Sequence, residues 1–61
     1  MKPHSKILLV EDDANIAGGL QKVMRTEGYE VIALDRGDDG LKRALQEDFD
    51  VVITDLKLPG L

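Results

Sequence analysis

The chain has 61 residues, a net charge of −4 and no cysteine, so it holds at most one small domain and no disulfide. Its basic residues are scattered and it has one Phe and one Tyr, which argues against direct nucleic-acid contact. No apolar run is long enough for a membrane span or a signal peptide, so we expect a soluble cytoplasmic protein.

The first predicted elements are a strand and a helix. The run KILLV, Lys6–Val10, is short and nearly all apolar, as in a strand buried on both faces of a parallel sheet. Asp13 or Asn15 then fits a helix N-cap and Gly28 a helix end. We expect the glycine pair at 18–19 to allow close packing on the sheet. The predicted apolar face of this helix is Ile16, Ala17, Leu20, Val23 and Met24.

A second strand at 29–34, a second helix at about 38–47 and a third strand at 50–54 follow. The predicted apolar face of the second helix is Leu41, Ala44 and Leu45. Strands that alternate with helices predict an α/β fold with right-handed crossovers and a parallel sheet. With one helix on each face, we expect the strand order 2-1-3.

Carboxylates follow two of these strands. Glu11, Asp12 and Asp13 come after the first strand, and Asp55 comes after the third. Adjacent parallel strands end at the same edge of the sheet, where open α/β folds bind ligands. Carboxylates that converge there repel one another, by about 4 kcal/mol for two charges 4 Å apart at an effective dielectric near 20. Either a bound proton or a hard cation such as Mg²⁺ relieves this repulsion.

A carboxylate beside such a metal can act as a nucleophile and form an aspartyl phosphate. A simpler interpretation remains open for each acid taken singly, because acids at strand ends often cap helices or open loops. Asp13 fits a cap best, and Asp55 can open a loop. Three acids exceed what one cap needs. The chain has neither a dinucleotide-binding nor a P-loop glycine motif, and its single His forms no catalytic pair.

Four segments together carry a family resemblance: KILLVEDD, EGYEV, DRGDDGLKRAL and DFDVVITDLKLPG. They resemble the receiver domain of two-component response regulators, over residues 6–61. The resemblance implies a flavodoxin-like fold, a known 2-1-3-4-5 sheet whose first three strands correspond to this chain. By this resemblance, we expect the chain to correspond to the first half of a receiver. The segment VVITDLKLPGL is also similar to receivers attached to transcription activators.

The resemblance also implies roles for individual residues. Asp55 corresponds to the acceptor of a phosphoryl group from a histidine kinase, so the domain is a phosphoacceptor and not an enzyme. Asp12 corresponds to a direct Mg²⁺ ligand, Glu11 to an acid that holds the metal through water, and Lys57 to a ligand through its backbone carbonyl. The pair at 59–60 corresponds to the turn that shapes the acceptor loop.

Two alternatives remain. Haloacid-dehalogenase-like phosphatases also end an early strand on a nucleophilic Asp, but they need a second Asp where Lys57 stands. The family pattern also continues past residue 61 with strands that end in Ser or Thr and in Lys. Without them, the chain can be an oligomerising half-domain with no phosphotransfer activity of its own. We expect such a chain to self-associate through the exposed edge of the third strand or to fold incompletely.

Overall fold

The computed structural model describes residues 4–54, which form a three-stranded parallel sheet with one helix on each face. Residues 1–3 and 55–61 lie outside the described part. The sheet order is β2-β1-β3, so the predicted α/β fold and strand order are confirmed. In chain order the elements are β1 (Lys6–Val10), α1 (Ala14–Thr26), β2 (Glu30–Leu34), α2 (Gly37–Gln46) and β3 (Val51–Thr54).

The central strand, β1, is buried on both faces. Ile7 and Leu9 pack in one apolar cluster with Ala17 of α1. Leu8 and Val10 pack in the other, on the α2 side of the sheet. All four side chains are almost fully inaccessible. The continuous apolar run of β1 is therefore explained by its central position, because each of its faces carries a helix.

The C-terminal end of α1 lies where the sequence predicted it, at Gly28. Gly28 has a φ of 93°, in the left-handed region that glycine adopts without steric cost. Its N–H donates a 3.0 Å hydrogen bond to the carbonyl of Arg25, which satisfies one of the last carbonyls of the helix. The chain then turns directly into β2.

The predicted apolar faces of the helices are only partly covered. Ala17 of α1 is buried and Ala44 of α2 packs on the sheet, but Leu45 is 80% exposed. The reason is that both helices pack mainly over β1 and β2, so that among residues 4–54 the β3 side of the sheet is less covered. No helix among residues 4–54 is long and apolar enough to cross a membrane. The other exposed members of the two predicted faces are Ile16, Leu20, Val23 and Leu41.

The close contact between a helix and the sheet occurs at Gly40 of α2. A Cβ at this position would lie 2.5 Å from Cγ2 of Val10, which is buried. At Gly18 and Gly19 of α1 a Cβ would meet no heavy atom within 4 Å. The expectation that the glycine pair allows close packing is therefore wrong, because both glycines lie on the exposed side of α1.

A cluster at the amino edge of the sheet joins β1 to the turn before β3. Lys6 and Asp50 exchange two hydrogen bonds: the Lys6 N–H donates to Asp50 Oδ2 at 2.7 Å, and the Asp50 N–H donates to the Lys6 carbonyl at 2.8 Å. Lys6 Nζ lies 2.7 Å from Glu47 Oε1 and 5.0 Å from the centre of the Phe49 ring. Arg43 Nη1 also contacts Glu47, at 3.2 Å. We call these five residues the amino-edge cluster.

The ion pair in this cluster shifts both of its partners. The hydrogen bond from Lys6 holds the pKa of Glu47 below its usual value of 4.5, and the same bond raises the pKa of Lys6 above 10.5. The pair therefore stabilises the fold between these two values. Its contribution is lost as the pH falls below 4.5, through the folded-state pKa of Glu47, or rises above 10.5, through that of Lys6.

We expect Gly40→Ala to lower the free energy of unfolding by about 1–2 kcal/mol, because overpacking against Val10 exceeds the gain in helix propensity. The matched variant Gly19→Ala should raise that free energy by up to about 1 kcal/mol, since its methyl group meets open space. Urea unfolding followed by far-UV circular dichroism measures both. Equal effects of the two substitutions would contradict the helix contact at Gly40.

Removal of the Glu47 carboxylate should make the free energy of unfolding less dependent on pH in the acidic range. In the parent chain, the free energy of unfolding should fall as the pH drops below 4.5, because Glu47 binds a proton more readily when unfolded. Glu47→Gln should be less stable near neutral pH and lose less stability on acidification. Glu27→Gln is the control, since Glu27 makes no ion pair with the described residues. An identical pH profile for both variants would disprove the role of this pair.

Candidate functional site at the carboxyl edge of the sheet

The three strands end at one edge of the sheet. Val10, the last residue of β1, pairs with Leu34 of β2 and with Thr54 of β3. Glu11 and Asp12 follow Val10 directly in the chain. The structure therefore places both predicted acids at the carboxyl edge, between the ends of the two neighbouring strands.

Glu11 is held in place by backbone and side-chain contacts. Its N–H donates to the carbonyl of Leu34 at 2.9 Å, which continues the pairing of β1 and β2 by one residue. Its Oε1 accepts a 3.1 Å hydrogen bond from the N–H of Asp13. Asp12, by contrast, is exposed, and its carboxylate makes no hydrogen bond or ion pair with the residues described. One carboxylate is thus oriented and its neighbour is available.

Asp13 has a different role, because it caps α1. Its Oδ1 accepts hydrogen bonds from the N–H groups of Asn15, at 2.9 Å, and Ile16, at 3.1 Å. Its backbone is extended, with φ −83° and ψ 111°, as expected for an N-cap. The cap interpretation is therefore confirmed for Asp13, whereas Asn15 lies inside the helix. Neither Glu11 nor Asp12 caps α1.

A groove of about 460 Å³ opens beside these acids, between α1 and the ends of β1 and β2. Its lining includes Glu11, Asp12 and Asp35, together with the small residues Ala17 and Gly18. Asp35 was not predicted as a neighbour of the site. The signal was present, because Asp35 follows the last residue of β2 as Asp55 follows that of β3.

Within residues 4–54, no group of three His, Cys, Asp or Glu side chains is placed to hold a metal ion. Glu11 and Asp12 supply two carboxylates. The predicted third acid, Asp55, lies outside the described residues, as do Lys57 and the turn at 59–60. Two carboxylates that face water are a suitable part of a Mg²⁺ site, because this ion keeps several waters and takes one or two protein carboxylates. The described donor set therefore fits the metal that the sequence implied.

Comparison with known families identifies the fold. A family model described as the response regulator receiver domain matches residues 7–61. The chain belongs to the response regulator receiver family. Among curated proteins, this receiver is 32% identical over 56 residues to the cell cycle response regulators CtrA of Brucella ovis and Brucella anthropi. The match covers 92% of this receiver and 24% of each CtrA protein, so the chain spans about a quarter of those relatives.

The same fold is found in a solved structure. The receiver superimposes on the chemotaxis response regulator CheY4 of Vibrio cholerae with a TM-score of 0.89 and 32% sequence identity. The superposition covers 93% of this receiver and 48% of the CheY4 chain. The described β-α-β-α-β arrangement is thus the flavodoxin-like fold that the resemblance implied, over about half the length of CheY4.

Proposed function

We propose that this receiver accepts a phosphoryl group from a sensor histidine kinase on Asp55, with Mg²⁺ bound at the same edge. One observation carries the proposal. Val10 and Thr54 are the last register partners of adjacent parallel strands. Glu11 and Asp12 follow Val10 in the sequence and Asp55 follows Thr54, so we expect the three acids to come together at this edge.

The proposed reaction is a displacement at phosphorus. A carboxylate oxygen of Asp55 attacks the phosphorus of a phosphohistidine, the P–N bond breaks, and the histidine leaves as an aspartyl phosphate forms. Asp12 is the proposed direct ligand of Mg²⁺, Glu11 the ligand through water, and the Lys57 carbonyl a further ligand. When bound, Mg²⁺ neutralises negative charge on the phosphoryl oxygens.

The contacts of the described residues support different metal-binding roles for Glu11 and Asp12. Glu11 is fixed by the end of β2 and by the turn into α1. A fixed carboxylate loses little freedom when it orients a metal-bound water. Asp12 makes no side-chain hydrogen bond or ion pair with residues 4–54 that a metal would have to replace, so with respect to these residues its carboxylate is available for direct coordination. We infer that residues 6–61 form a cytoplasmic phosphoacceptor domain whose only chemistry is self-directed, and that this segment does not contact nucleic acid.

Intact mass spectrometry tests this function. With Mg²⁺ and a small-molecule phosphodonor, the parent chain should gain the mass of one phosphoryl group, and Asp55→Asn should gain none, because an amide is not a nucleophile here. Asp12→Asn should slow the gain at least about tenfold, through loss of a metal ligand. Asp35→Asn removes a carboxylate from the same edge and should leave the rate within about twofold of the parent, which excludes a simple charge effect.

A phosphoryl adduct on Asp55→Asn that matches the parent in amount would refute Asp55 as the acceptor. The absence of any adduct on the parent chain, with Mg²⁺ present, would favour the second candidate function.

The second candidate is an oligomerising domain that pairs through the open edge of β3. The Asp50 N–H points toward β1, so by the alternation of a strand the backbone groups of Val51 and Ile53 face away from it. Within residues 4–54, β3 has a paired neighbour on its β1 side alone. Val52 is 48% exposed and Ile53 38% exposed, and no charged side chain lies between 51 and 54. Uncharged edge strands of this kind pair with other chains.

Sedimentation velocity over a range of concentrations tests the second candidate. We expect the parent chain to associate, and Ile53→Lys to weaken the association by about tenfold or more, since a charge on an edge strand opposes pairing. Leu45→Lys places the same charge on an exposed leucine of α2, away from the edge, and should change association far less. A parent chain that stays monomeric and folded at every concentration would contradict this candidate.

A further inference from the structure

The two outer strands of the sheet differ in how their outer edges are covered. Among residues 4–54, β2 and β3 each pair with β1 alone. The Glu30 N–H donates to the carbonyl of Ser5, beside β1, so by alternation the backbone groups of Val31 face outward. Arg25 Nη2 donates a 3.2 Å hydrogen bond to the carbonyl of Val31. A charged side chain on an edge strand opposes pairing with another chain, so β2 is a protected edge.

The outer edge of β3 has no such protection from residues 4–54. The backbone groups of Val51 and Ile53 face away from β1, and no side chain in the described part of the protein donates a hydrogen bond to either residue. No charged side chain lies within the strand. Of the two outer strands, β3 is therefore the one on which another strand can pair.

A small apolar groove lies beside β3, between this strand and α2. Its volume is about 150 Å³, and its lining includes Leu41 and Ala44 of α2 and Val52 of β3. Leu41 and Val52 are 61% and 48% exposed. We call it the α2–β3 groove. Apolar surface gains free energy when it is removed from water, so a chain that pairs with β3 is stabilised further if it also covers this side of the sheet.

The alternation along β3 restricts how two copies of this strand can pair in antiparallel orientation. Residues that face outward must lie opposite each other, so Val51 of one copy exchanges hydrogen bonds with Ile53 of the other. This register pairs both outward-facing residues at once. Val52 then lies opposite Val52 of the second copy, and opposite side chains share one face of the sheet. Because Val52 lines the α2–β3 groove, that face is the α2 face.

We propose that a second copy of this chain pairs with β3 in antiparallel orientation, about a two-fold axis at Val52. The axis is perpendicular to the sheet, so the α2 helices of both copies lie on one face and the two α2–β3 grooves adjoin across the Val52 pair. The inference rests on the second candidate function and adds its partner, orientation and register. Since β3 has four residues, the interface is smaller than about 1,200 Å², and the dimer is weak.

Single cysteines test the register, because the chain contains no cysteine. In the proposed dimer the Cα atoms of the two Val52 residues are about 4.5 Å apart, within the range of a disulfide. The two Ile53 residues are diagonal neighbours, about 7–8 Å apart, which is too far. In a glutathione redox buffer, Val52→Cys should form the disulfide-linked dimer at least about tenfold more readily than Ile53→Cys. Leu45→Cys, on the exposed side of α2, gives the level of random collision.

Equal dimer yields for Val52→Cys and Leu45→Cys, measured by intact mass without reductant, would overturn the proposal. A higher yield for Ile53→Cys than for Val52→Cys would overturn the register.

Isotope-filtered NMR tests the same contact without any substitution. In a concentrated mixture of ¹³C-labelled and unlabelled parent chain, the Hα of Val52 should show an NOE to the Hα of Val52 in the second copy, because these residues form the close, non-hydrogen-bonded pair. Intermolecular NOEs from Val31 in place of Val52 would overturn the proposal, since they would place the interface at β2.

The failure of this inference is distinguishable from failure of the functions proposed above. Association that Ile53→Lys weakens, without the Val52 cross-link or NOE, would reject the two-fold register and retain the second candidate function. A parent chain that stays monomeric would reject both. Glu11 and Asp12 follow β1 and lie outside the proposed interface, so a phosphoryl adduct on Asp55 neither supports nor contradicts the pairing.

Discussion

The burial of β1 determines the rest of this structure. Among the described residues it is the strand with hydrogen-bonded neighbours on both sides and a helix over each face. Its apolar side chains find complete burial only in that central position, which places β2 on one side and β3 on the other. Since all three strands are parallel and in register, Val10, Leu34 and Thr54 end together. The carboxyl edge, with its acids, is a direct result of that alignment.

Three consecutive acids have three different environments at this edge. Glu11 still belongs to the strand ladder through its bond to Leu34, and Asp13 already belongs to α1 as its cap. Asp12 lies between the two and is bound by neither. A tight strand-to-helix junction thus orients one carboxylate, uses a second to cap the helix and leaves a third without a partner among residues 4–54. This division gives the receiver interpretation its physical basis.

Periodicity and turn chemistry were sufficient to predict the elements. The three strands, the two helices, the strand order and the signals at Asp13 and Gly28 all follow from local rules, and the boundaries agree within one or two residues. Depth of burial does not follow from such rules. Leu45 and Ala44 share one predicted face, yet Ala44 packs and Leu45 is exposed, because the result depends on where the helix lies over the sheet.

Contacts between residues that are far apart in the chain could not be predicted from the sequence either. The pattern predicted close packing at the glycines of α1, whereas the close contact is at Gly40, which only the three-dimensional position of Val10 reveals. The ion pair of Lys6 with Glu47 joins residues 41 apart in the chain, and no local signal marks it. For the candidate site, the placement of Glu11 and Asp12 agrees with the sequence analysis. The roles of Asp55 and Lys57, which lie outside the described residues, stay predictions.

The amino-edge cluster has a consequence for the order in which the fold forms. Ile7 pairs with Val31 across a single β-α-β unit, but the bonds of Lys6 with Asp50 close a loop between residues 44 apart. Longer loops cost more entropy to close, by about 0.6 kcal/mol for each doubling, and the β3 side returns less buried apolar surface. We therefore expect the unit of β1, α1 and β2 to form first and β3 to dock after it. On that order, the carboxyl edge between β1 and β3 is completed only when β3 docks, and we expect it to be lost early on unfolding.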